Sequence, residues 1–187
     1  MMDKLRQHIE RIVALTDEEF AFIARHFSSR KYKKHQYIIQ EGDEVKYHYF
    51  ILKGLTKLVY TDDTAKEHIV SFAMEDWWES DFLAFYTQTK ATMALICLED
   101  TEVLCLNLED YKKLCDGLQK MERFILEKAN FGFLGAQRRI ISLLTSNAKE
   151  RYEQLIKLYP NLVQRVPKAQ LAAYLGVSRE TLSRLNQ

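Results

Sequence analysis

The side chains most able to do chemistry in this sequence lie near its C-terminal end, at Arg179, Glu180, Ser183 and Arg184. On a helix they share the outward face of the first turns, because Leu182 and Leu185 take the inward one. Arginine can hold guanine O6 and N7 bidentately, and glutamate can accept from cytosine N4, so the set suits base edges in a DNA major groove. A good bidentate contact discriminates by about 1–3 kcal/mol. Such a set needs a scaffold that presents the start of one helix, and the preceding residues can build it. Pro167 fits a first helical position, where its missing amide is not needed. Leu171, Ala172 and Leu175 make the inner face of a short helix, which Gly176 ends in a positive-φ turn that glycine adopts without strain. Val177 plugs the space between two helices and Ser178 caps the second. Pro167 to Leu185 therefore reads as a helix-turn-helix. A surface hairpin with solvated charges would leave the glycine turn, the capping serine and the Arg-Glu-Thr run without a purpose.

Upstream the period changes. Thr16 and Glu19 form a capping-box pattern, and Phe20, Ile23, Ala24 and Phe27 then share one helical face. From Lys34 to Leu108 short β-prone runs alternate with turn residues: Tyr37–Ile39, Tyr47–Leu52, Lys57–Tyr60, His68–Ala73, Thr92–Leu98 and Val103–Leu108. No long helix separates successive strands, which predicts an antiparallel sandwich or barrel, and Trp77 to Lys90 predicts a short helix plus loop. From Asn107 onward the pattern is helical. Leu114, Leu118, Met121, Ile125, Ala129, Gly132, Ala136, Ile140 and Leu143 advance at close to the helical period, and Phe124, Phe131, Phe133 and Leu134 widen the stripe beyond one face. A helix apolar on more than one side needs two partners, here its own β-domain and a second copy of the chain, in preference to the alternative of a purely intramolecular core helix. Gly132 and Gly135 then mark a close approach of backbones or a bend. Ala148 to Leu158 predicts one more helix, closed at Tyr159-Pro160-Asn161.

Composition narrows the classes further. With 187 residues, 47% of them hydrophobic, the chain can bury a full core and is not disordered as a whole. No run of about 18 uncharged apolar residues predicts a membrane span. Met1 to Glu10 lacks the apolar stretch of a secretion signal, so a cytoplasmic protein is expected, with Cys97, Cys105 and Cys115 as buried thiols. Residues 1–117 hold 15 basic and 21 acidic side chains, whereas 118–187 hold 12 and 5. That asymmetry fits an acidic scaffold joined to a half that meets a polyanion, although chance variation in surface charge would also produce it.

These features together resemble the Crp/Fnr transcription regulators: Gln40-Glu41-Gly42-Asp43, Tyr49-Phe50-Ile51-Leu52-Lys53-Gly54, a long helix, and Leu175-Gly176-Val177-Ser178-Arg179-Glu180-Thr181-Leu182-Ser183-Arg184. The resemblance spans about residues 16 to 185. It implies an α+β fold with an N-terminal antiparallel, jelly-roll-like β-roll of the cyclic-nucleotide-binding-domain type over 1–108. A connecting and dimerisation helix over 109–145 and a winged-helix-like helix-turn-helix over 146–187 would follow. It further implies a homodimer on an inverted repeat of double-stranded DNA, with RNA polymerase as a possible further partner and no enzymatic activity. Arg179, Glu180 and Arg184 fall on the family's base-reading positions, and Lys168, Gln170, Ser178 and Thr181 where phosphates are held. Leu118, Met121, Ile125, Gly132 and Ala136 would lie in the dimer helix.

Family members that bind cyclic nucleotides carry a phosphate cassette, a Gly-Glu pair followed by Arg-Ser or Arg-Thr. Here Ser80-Asp81 and Ala91-Thr92 stand at those places. Thr92 fits and Asp81 is a shortened acid, but Ala91 carries no charge and Lys90 would point to the opposite side of a strand. A buried phosphate without its cation is strongly disfavoured, and Trp77, Trp78, Phe82, Phe85 and Tyr86 could fill the pocket. No cofactor is expected, cyclic nucleotide included. Two other readings stay open. A cupin-like metal enzyme would share a small barrel, but after Gly42 and His48 its second histidine position is Phe50, so no metal site is expected; the other four histidines, His8, His26, His35 and His68, are scattered. A ligand-binding module that has lost DNA binding is the other, because the sequence ends at Gln187 where relatives often continue with basic residues or a β-wing.

Overall fold

The computed structural model describes residues 1–185. Two helices open the chain, α1 (Met2–Glu10) and α2 (Asp17–Ala24). The capping box forms as expected: Glu19 N donates to Thr16 Oγ1 at 3.2 Å and Thr16 N to Glu19 Oε2 at 2.8 Å.

Eight strands follow: β1 (Ser28–Tyr32), β2 (Tyr37–Ile39), β3 (Tyr47–Lys53), β4 (Thr56–Thr61), β5 (Glu67–Ala73), β6 (Trp78–Glu79), β7 (Ala94–Cys97) and β8 (Thr101–Asn107). They build two antiparallel sheets, one ordered β1-β8-β3-β6 and the other β2-β7-β4-β5. The expected β-roll is present, and helix α3 (Phe82–Thr87) lies in the interval that breaks the strand rhythm. Two strands leave no periodic signal. Almost all of β1 is exposed, and the strand exists because β8 templates it, Ser28 opposite Cys105 through Tyr32 opposite Thr101. Strand β6 is only two residues long and is held by Tyr49 and Phe50 of β3.

Every element after β8 is a helix: α4 (Leu108–Gly117), α5 (Gln119–Thr145), α6 (Ala148–Leu158), α7 (Pro160–Arg165), α8 (Lys168–Leu175) and α9 (Arg179–Leu185). Three expectations need correction. The single connecting helix over 109–145 is two helices, broken at Leu118, whose backbone is extended (φ −149°, ψ 102°). Gly117, next to the break, lies against α2: a Cβ there would stand 2.8 Å from Cζ of Phe22, so a larger residue would require that ring to shift. A further turn of helix, α7, occupies the place of an expected loop, with Pro160 in its first turn. Of the expected winged-helix-like unit, the described residues form the helix-turn-helix and no wing strand.

The packing forms four layers. Between the sheets lie Ile39, Tyr49, Ile51, Leu58, Phe85, Leu95, Val103 and Cys105. Outside the first sheet, Phe50, Leu52, Leu104 and Leu106 meet α1, α2, α4 and the start of α5 through Leu5, Ile9, Ile23, Leu114, Met121 and Phe124. Outside the second sheet, Val59, Ile69, Phe72 and Ile96 meet the C-terminal helices through Tyr152, Leu155, Leu162, Leu171, Leu175 and Leu182. Burial of each large apolar side chain in this second seam is worth about 1.5–3 kcal/mol.

Charge fixes the register of that seam. Arg165 at the end of α7 reaches Glu75 through Nη1 at 2.6 Å and Nη2 at 3.1 Å, and Glu99 through Nε at 3.0 Å and Nη2 at 2.7 Å. Its bonds to Glu99 and Glu75 raise the guanidinium pKa further. Burial works against ionisation of Glu75, but the Arg165 bonds and the Gly54 amide hold its carboxyl below the usual range. Arg139 of α5 adds a second tie, donating to Ile69 O on β5 and Tyr174 O on α8 and lying 3.6 Å from the Tyr174 ring centre. Replacing Arg165 with alanine strands two partly buried carboxylates. We expect a loss of about 1–3 kcal/mol in urea denaturation, between the worth of exposed and buried pairs. An unchanged midpoint would mean that apolar contact alone seats the helices.

Candidate nucleic-acid interface

The helix-turn-helix forms as its residues dictate. Leu171, Ala172 and Leu175 of α8 and Leu182 of α9 are buried in one cluster, with Val177 and Leu185 packed against it. Gly176 takes φ +70° and its amide returns to the last turn of α8. Ser178 Oγ accepts from Thr181 N at 3.1 Å, the capping bond that starts α9. Arg151 of α6 donates to the terminal carbonyl of Leu175 at 3.1 Å, bracing the turn from behind.

Arg179, Glu180, Ser183 and Arg184 all stand exposed on one side of α9, and Lys168 is exposed at the start of α8. Four residues expected at phosphates are therefore placed differently from one another. Lys168 is free to reach a phosphate. Ser178 and Thr181 face each other, with their hydroxyls 3.1 Å apart. Gln170 is half-buried, its Oε1 turned inward without a partner.

The long helix α5 divides its apolar residues differently from the expected seam. Met121 is buried in the chain's own core, with Leu118 and Ile125 packed against the same cluster. Met121 is thus covered within the chain, whereas Leu118 and Ile125 are only partly so. Gly132 and Ala136 are exposed, and a Cβ on Gly132 would meet nothing within 4 Å, so no backbone of this chain approaches it. By helical geometry Gly132 lies on the side of Met121 and Phe124, away from the bare apolar line. That line holds Leu126, Phe133, Ile140 and Leu144, all exposed, with Leu144 at 79%.

The cassette residues come together beneath α3. Ser80 and Asp81 are fully buried and Ala91 almost so. Ser80 Oγ donates to Tyr47 O at 2.9 Å. Asp81 caps α3, its Oδ1 accepting from Ala84 N at 3.1 Å, while Oδ2 accepts from Thr92 N at 2.9 Å, Thr92 Oγ1 at 3.2 Å and Met93 N at 3.1 Å. Ala91 is bonded through its backbone to Gly42 and Asp43. Lys90 is exposed and lies 3.9 Å from Glu44, so it supplies no charge to this point. Of the aromatic residues expected to fill the roll, Phe85 does so and Trp77 packs against the same cluster. Trp78 instead packs toward the N-terminal helices, Phe82 lies against His48 with 38% of its surface exposed, and Tyr86 is exposed.

Sequence spacing gives no hint of the buried Glu79. Ser71 Oγ donates to it at 2.6 Å and Ser80 N at 3.2 Å, and burial pushes its carboxyl up to about 7. His48 sits among Trp78, Phe82 and Phe85, and burial pushes its imidazolium down to about 3. Among the described residues no group of three His, Cys, Asp or Glu could hold a metal ion. No helix there is long and apolar enough to cross a membrane.

Comparison with known proteins agrees with this architecture. Residues 29–117 match the cyclic nucleotide-binding domain family. Among solved structures, FixK2 from Bradyrhizobium japonicum superposes with a TM-score of 0.75 at 16% identity, over 86% of this chain and 82% of that one. The catabolite activator protein of Thermus thermophilus gives 0.59 at 24% identity, over 92% and 83%. A Eubacterium rectale protein described as a transcriptional regulator of the Crp/Fnr family gives 0.68 at 13% identity, over 91% and 82%. At these identities the likeness shows the fold. No curated protein matches the sequence.

The Glu79 site yields a pH test. A carboxyl whose folded pKa is raised stabilises the fold fully below its unfolded value of 4.5, and that contribution fades as pH rises through about 7. Glu79→Gln should therefore gain stability relative to the parent on going from about pH 5 to about pH 8 in thermal denaturation. A difference independent of pH would show that Glu79 does not titrate in this range.

Proposed function

We propose that this chain, with a roll matching the cyclic nucleotide-binding domain family and the overall fold of Crp/Fnr regulators, is a homodimeric DNA-binding transcription regulator rather than an enzyme. The observation that carries the reading is the α9 helix. It is capped by Ser178, braced by Arg151 and buried along Leu182, yet it leaves Arg179, Glu180 and Arg184 uncovered. A helix held this firmly while its charged face stays bare suits insertion into a major groove, with Lys168 on the flanking backbone.

Self-association follows from α5. Eight large apolar residues between Leu126 and Leu144 are exposed, and Leu126, Phe133 and Ile140 recur every seven positions. That repeat is the pattern of a two-helix seam, and a twofold axis along it would pair two reading helices. Half-sites about 34 Å apart would match one turn of DNA. The roll would work without cyclic nucleotide bound through the usual cassette, since Ala91 leaves no cation for a phosphate.

Two measurements test this reading. In binding assays Arg179→Ala should relax base preference at one position of each half-site, whereas Lys168→Ala should weaken matched and scrambled duplexes alike; identical behaviour of the two variants would refute these roles. In sedimentation, Ile140→Glu should convert a dimer to a monomer, and a monomeric parent chain would refute the seam.

A further inference from the structure

Beyond Lys128 the long helix α5 runs clear of the rest of the chain. From Ala129 to Ile141 every residue is exposed except Arg139. At 1.5 Å per residue that stretch is a strut about 20 Å long, and its one covered side chain is this arginine. Arg139 Nη2 donates to Ile69 O of β5 and to Tyr174 O of α8, and the guanidinium lies against the Tyr174 ring. Past α5 the chain turns through Ser146 and Asn147, both with extended backbone. Arg151, on the far side of this link, donates to Ser146 O and through Nε to Leu175 O. Tyr174 and Leu175 end α8, where the last carbonyls have no donor within the helix and carry the negative end of its dipole. Two guanidinium groups, one from each side of the link, thus take adjacent carbonyls directly ahead of the Gly176 turn.

We propose that Arg139, backed by Arg151, is a positioning residue for DNA reading: it fixes the turn before α9 relative to α5 and so sets the half-site spacing that a dimer accepts. A link of two extended residues leaves the helix-turn-helix free to swing about several backbone bonds. A second attachment, made across the link, removes that freedom. Arg139 neighbours Ile140 of the bare apolar line, and adjacent helical positions point about 100° apart. The strut can therefore present Ile140 to a second copy while Arg139 holds α8. Both arginines bond main-chain oxygens, so they specify place and leave the base-reading side chains of α9 out of the contact. One added base pair moves a half-site by about 3.4 Å and about a tenth of a turn, a mismatch that only a firmly held helix detects. The proposal rests on the reading of α9 as the reading helix and α5 as the seam, and adds what sets the geometry between them.

The full chain and its Arg139→Met and Arg139→Lys variants test this on duplexes that carry the parent's selected half-sites at the preferred spacing and one base pair closer or farther. Methionine keeps much of the length and the contact with the Tyr174 ring but has no donor, whereas lysine keeps one. The parent should bind the altered spacings about tenfold or more weakly, and Arg139→Met should bind all three within about threefold, with Arg139→Lys between. A base change inside one half-site should weaken the parent and Arg139→Met by the same factor. Unchanged spacing discrimination in Arg139→Met, or loss of base preference together with it, would overturn the proposal. If Arg139→Met does not fold, Arg139→Lys is read against the parent by the same two criteria. Amide exchange without DNA separates this proposal from the regulator reading. Gly176 and Val177 should exchange severalfold faster in Arg139→Met with the roll amides unchanged, and equal rates would overturn the positioning role. A parent chain that selects no duplex would refute the regulator reading instead, and the exchange result would then decide whether Arg139 holds the turn.

Discussion

The four bonds from Arg165 to Glu75 and Glu99 settle where the C-terminal helices sit. Glu75 follows β5 and Glu99 precedes β8, so one guanidinium grips two corners of the roll at once. The apolar seam above them is broad and nondirectional, and burial alone would permit several sliding registers of helix on sheet. A planar donor fork that matches two carboxylates selects one of them. Everything downstream inherits that choice, since α8 packs on β5 and α9 packs on α8. Arg139 repeats the logic from the long helix, binding carbonyls of the roll and of α8 together.

This use of arginine changes the meaning of the basic C-terminal half. Arg139, Arg151 and Arg165 count toward its positive balance, but all three are spent inside the chain on carbonyls or carboxylates. The cations left at the reading end are few: Lys168, Arg179 and Arg184. In the proposed complex a small set of this kind would give modest electrostatic attraction for any DNA and leave selectivity to the base contacts. The same economy operates under α3, where the Asp81 carboxylate is spent on donors of Ala84, Thr92 and Met93.

The features legible in sequence are local ones. Gly176, Ser178 and the leucines around them encode the helix-turn-helix within nineteen residues, and the structure reproduces their roles one by one. Most strands announce themselves through apolar runs and turn residues. What periodicity cannot show is any feature defined by a distant partner. Strand β1 is polar and exists through β8; Gly117, beside the break at Leu118, meets Phe22 of a distant helix; Met121 reads as one more stripe residue until it joins the cluster of Phe50 and Phe124. Arg165 and Glu75 are ninety positions apart, and nothing in their neighbourhoods pairs them. Asp81 lies between these cases: its sequence position is readable, but its bonds require Thr92 and Met93 to fold back on it.

Selection of bound duplexes from a random DNA library by the purified chain, without nucleotide, at about physiological salt, tests the regulator function most directly. A regulator of this kind would enrich an inverted repeat whose half-sites are centred about 10–10.5 base pairs apart. Absence of any enriched sequence, or enrichment that appears only when cyclic nucleotide is added, would contradict that function.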